Sequence, residues 1–62
     1  MTLTMPDDGE TLFVTGSLSL LWSAKERAFY ITLDSYILRF DNYFAAIKVY
    51  GQLEEQQGVT NG

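Results

Sequence analysis

The sequence predicts an all-β domain: a small, curved meander of four or five antiparallel strands, or a partial barrel, with room for one helical turn near its C-terminal end. Three observations carry that expectation. Apolar residues alternate with others in short runs, as in strands with one covered face. Gly or polar corners separate the runs at short intervals. Aromatic residues make up 15% of the chain, and such residues favour pleated sheet.

Thr11–Trp22 is the clearest run. Leu12, Val14, Leu18, Leu20 and Trp22 share even parity, which suggests a common face. Gly16-Ser17 interrupts them at the midpoint. Gly followed by a small polar residue suits a two-residue type II′ turn, because Gly tolerates the positive φ of the first corner. The reading is two strands, about 11–15 and 18–23, the alternative being one long strand bent at Gly16.

Ser23–Arg27 is charged and reads as a loop. Beyond it, Phe29, Ile31 and Leu33 fall on odd parity, then Tyr36, Leu38 and Phe40 on even parity. A regular strand cannot show both sets to one core, so Asp34-Ser35 must be a bulge or a turn. Strands are expected over about 28–33 and 36–40, with Asp41-Asn42 as the next corner.

Tyr43–Leu53 supports two readings. As a strand it puts Tyr43, Ala45, Ile47, Val49 and Leu53 on one face. As a helix it has Asp41 or Asn42 as a cap, a Phe44–Ile47–Tyr50 spacing and good helix formers at 53–57. The β-favouring side chains tip the expectation to strand. Residues 1–10 read as an N-terminal loop and 56–62 as a flexible tail, so that 1–62 is a single domain.

Sixty-two residues bury a modest core, and natural domains this small usually add a staple. The chain has no Cys and no His, which removes disulfides and His/Cys zinc sites and leaves association with a partner or a second copy. Its net charge of −4 lacks the basic field of a free-standing nucleic-acid binder. No apolar run approaches a bilayer span and the first residues do not resemble a secretory leader, so the default expectation is cytoplasmic.

Catalytic parts are scarce, and no enzyme activity or cofactor is expected. Four serines have no His to act as base. Asp34 with Asp41 is the best carboxylate pair, but both stand at corners where Asp bonds the local backbone. Asp7, Asp8 and Glu10 lack the ligand spacing of a calcium loop.

Binding is where the residues point. Trp22 could anchor a partner, and Tyr30, Ile37, Phe44 and Tyr50 fall opposite the main apolar sets of their segments. These five are the candidate partner-binding residues. Arg39 and Lys48, with Tyr50 alongside, form the alternative: a phosphate and base site in an RNA-binding ring.

Thr11-Leu-Phe-Val-Thr15, a short turn, Leu18–Trp22, Ala28–Leu33 and Tyr36–Phe40 together resemble the opening of GRAM-type pleckstrin-homology-like domains, the kind found in the methylosome subunit ICln. That resemblance equates Ala46–Glu55 with a strand running into an acidic loop and implies a non-catalytic scaffold whose open sheet pairs with another protein. Ala46-Ile-Lys-Val-Tyr-Gly51 is also similar to a strand of ring-forming, tryptophan-activated RNA-binding attenuation proteins. This second likeness implies an RNA contact at Lys48, with Tyr50 where that family has a further cation.

Overall fold

A computed structural model describes residues 5–59. Four strands form one open antiparallel sheet in chain order, β1 (Glu10–Thr15), β2 (Leu18–Ser23), β3 (Ala28–Leu33) and β4 (Tyr36–Phe40), followed by a helix, α1 (Tyr43–Val59). The meander and its corners follow the sequence reading closely.

Both tight hairpins are two-residue turns with positive φ at the first corner, +62° at Gly16 and +53° at Asp34. Asp is among the few side chains that tolerate this region. The parity change between β3 and β4 is therefore a turn, with Leu33 opposite Tyr36.

The same logic corrects the expected face of β1. Because Thr15 pairs with Leu18 and Phe13 with Leu20, Phe13 and Thr15 share a face with the even positions of β2. Val14 lies opposite Ser19 on the other face and is 63% exposed. A bulge at Leu12 interrupts the pairing between Thr11 and Phe13.

The largest correction is α1. Residues 43–53, expected as a strand with at most a helical turn after it, are helical, and the helix continues through 56–59 of the expected tail. The Asn42 side chain caps it, its Oδ1 accepting the N–H of Phe44 at 2.7 Å and of Ala45 at 3.2 Å. Tyr43, Ala46, Ile47, Tyr50, Leu53 and Gln57 then recur at three- and four-residue steps, so one stripe faces the sheet. That stripe lets α1 cover apolar sheet surface that a fifth, edge strand would have left open. Ala46–Glu55, which the pleckstrin-homology resemblance equates with a strand and loop, lies within α1.

α1 packs over β2, β3 and β4. Leu18, Leu20, Ile31, Ala46 and Tyr50 form the buried centre, ringed by Phe29, Leu33, Phe40, Ile47, Val49 and Leu53. The opposite face of the sheet has a smaller cluster of Leu21, Ala28 and Tyr30, with Ile37 against it. Part of its cover is the N-terminal loop, where the Gly9 N–H donates to the Pro6 carbonyl and the turn sits on Leu21.

A polar latch holds that loop. Ser23, fully buried, donates its hydroxyl to Asp8 Oδ1 at 2.7 Å and accepts the Glu26 N–H at 3.1 Å. The second Asp8 oxygen accepts the Lys25 N–H at 2.8 Å. These contacts, led by the Ser23 hydroxyl, hold the Asp8 carboxyl below its ordinary pKa.

Candidate cleft between the first strand and the helix

One sheet edge is β4 and the other is β1. Every β1 residue from Glu10 to Val14 is exposed, and Leu12, Phe13 and Val14 form a continuous apolar stretch along it. Such an edge is unusual without cover, because its unpaired backbone groups can template another strand. Next to a two-residue turn, Thr15 and Leu18 face each other in a hydrogen-bonded pair. The alternation then turns the N–H and C=O of Val14 to the open side.

Beside this edge lies a cleft of about 300 Å³. Its strand wall is Phe13, Val14 and Thr15, and its helix wall is Ile47, Tyr50, Gly51 and Glu54. Phe13 and Tyr50 meet as tilted rings with centroids 5.9 Å apart. Thr15 Oγ1 donates to Glu54 Oε2 at 3.0 Å, so its 2.8 Å contact with Tyr50 must use the tyrosine hydrogen. Tyr50 → Thr15 → Glu54 is thus a directed chain of hydroxyls ending on an exposed carboxylate.

Gly51 forms part of the helix wall. A Cβ built there meets nothing within 4 Å, so no contact inside the fold requires glycine at a helical position that favours almost any other residue.

The predicted binding residues scatter. Tyr30 and Tyr50 are each 4% exposed and face the molecule's own interior. Trp22 is half-buried on the helix side of the sheet, its ring 4.6 Å from Phe29. Ile37 packs against the opposite face, and Phe44 stands out from α1 at 76% exposure. Only Tyr50 lines the cleft. Val14, central to it, was missed because the faces of β1 were assigned without reversing parity across Gly16-Ser17, and Phe13, opposite the assigned face, was not singled out.

Arg39 and Lys48 are not brought together. Arg39 pairs with Asp41 at 3.1 Å, and its cross-strand neighbour Tyr30, ahead of that carboxylate, pushes its already high pKa further up. Its neighbours belong to the face away from α1, whereas Lys48 is on the exposed side of the helix. Asp34 and Asp41 stand at opposite ends of β4, about 17 Å of strand apart. Among the described residues no cluster of three potential metal ligands occurs, and no helix is long and apolar enough to cross a membrane.

The chain matches no family model, no curated protein and no solved structure.

Proposed function

We propose that this chain is a non-catalytic protein-interaction module that accepts an extended segment of a partner along β1, in the cleft against α1. The observation that carries this reading is the exposed Leu12–Val14 edge beside a cleft walled by Phe13, Ile47 and Tyr50. Strand addition uses just such a pair of features, open backbone groups for affinity and a side-chain pocket for selectivity. The bulge at Leu12 limits the regular stretch to Phe13–Thr15, which suits a short strand.

Amide NMR of the whole chain, titrated with short extended peptides, tests the proposal. Shifts should centre on Phe13–Thr15 and Ile47–Glu54, and Val14→Pro should abolish them by removing the outward N–H. If peptides at millimolar concentration move no resonance in those segments, the proposal fails.

A second reading has its own observation. β4 is a regular edge without a bulge, and Tyr36 on it is 67% exposed. Pairing with a second copy there would extend the sheet symmetrically. Light scattering at micromolar concentration tests it, and a dilution-stable monomer mass argues against it.

A further inference from the structure

The charges around the cleft narrow what can occupy it, given the strand-acceptor reading on which this step rests. Glu54 is the charged residue of the lining, and its carboxylate is exposed, with acceptor capacity left after the Thr15 bond. Glu10 lies on the same face of β1 as Phe13 and Thr15, since it pairs with Trp22. Among the described residues, no Lys or Arg lines the cleft.

These positions disfavour a second copy. If two β1 strands paired antiparallel over their full length, Glu10 of one would stand opposite Thr15 of the other. That Thr15 already holds Glu54, so two carboxylates would meet at each end of the pairing. The Leu12 bulge would also break the shared register.

Geometry sets the spacing of a suitable occupant. Phe13 and Thr15 share the cleft face two residues apart, with Glu54 bonded to Thr15, and that step of about 7 Å matches two residues of an added strand. Alternate side chains of that strand face the cleft. We infer that the cleft takes a basic–apolar extended peptide, laying one apolar side chain between Phe13 and Ile47 and a Lys or Arg beside Glu54, two residues along. Gly51 leaves room for that segment against the helix backbone.

The test uses two capped pentapeptides, Lys-Thr-Ile-Thr-Lys and Glu-Thr-Ile-Thr-Glu, each reading the same in both directions. At low salt the lysine peptide should bind roughly three- to tenfold more tightly, with shifts at Phe13–Thr15 and Ile47–Glu54. The difference should shrink with added salt and largely vanish in Glu54→Gln. Equal binding of both peptides in the cleft overturns the basic preference but leaves strand acceptance standing. Binding of neither overturns both. A doubled mass on concentrating the free chain, with shifts along Glu10–Thr15, would make a second copy the occupant and overturn the inference.

Discussion

The Tyr50 hydroxyl donates to Thr15 Oγ1 across 35 positions of sequence, fastening the middle of α1 to the end of β1. Tyr50→Phe removes this bond but keeps the ring against Phe13 and the core. The expected loss is about 0.5–1.5 kcal/mol in urea unfolding. Tyr50→Ala should cost about 3–5 kcal/mol, as for other large core truncations, and in so small a domain that approaches unfolding.

Asn42 is the second fastening. Asn42→Ala should destabilise by about 0.5–2 kcal/mol, whereas Asn42→Asp or Asn42→Ser should retain most of the cap. Far-UV circular dichroism with thermal melts reads the difference. An unchanged midpoint in Asn42→Ala would mean that the sheet alone fixes the start of the helix.

The Ser23–Asp8 latch makes stability pH-dependent in a defined direction. Asp8 is depressed below its ordinary value of 3.8, so its contribution is present above that value and is lost as pH falls through the folded pKa. Asp8→Asn should lower stability near neutrality and flatten this part of the acid limb in pH-resolved urea titrations. Ser23→Ala removes a buried hydroxyl with two bonds and should cost about 1–2 kcal/mol.

Gly51→Ala separates stability from binding. With open space at that Cβ, the helix should gain about 0.8–1 kcal/mol. The same methyl intrudes on the cleft, so affinity for the lysine pentapeptide should fall. A stabilised variant with undiminished binding would place the peptide elsewhere.

Much of the sheet was legible in the sequence. Gly16-Ser17 and Asp34-Ser35 marked both tight turns, and the parity change across 34–35 required a break that the structure makes as a hairpin. Applied at 16–17, the same argument would have placed Phe13 rather than Val14 on the covered side. The helix was harder, because Tyr43, Ile47 and Val49 fit an alternating face while Tyr43, Ala46, Ile47 and Tyr50 fit a helical one. Asn42 and the run of Leu53, Glu54 and Glu55 held the deciding information. Contacts such as Asp8–Ser23 and Thr15–Glu54 depend on tertiary proximity, which no local pattern encodes. The cleft inherits that difficulty, since its two walls lie more than thirty positions apart in the chain.

The Pro6–Gly9 turn rests on Leu21, on the side of the sheet away from α1, whereas Glu54 and Gln57 approach the Thr15–Gly16 corner. The sheet therefore stands as a partition between the chain's early and late segments.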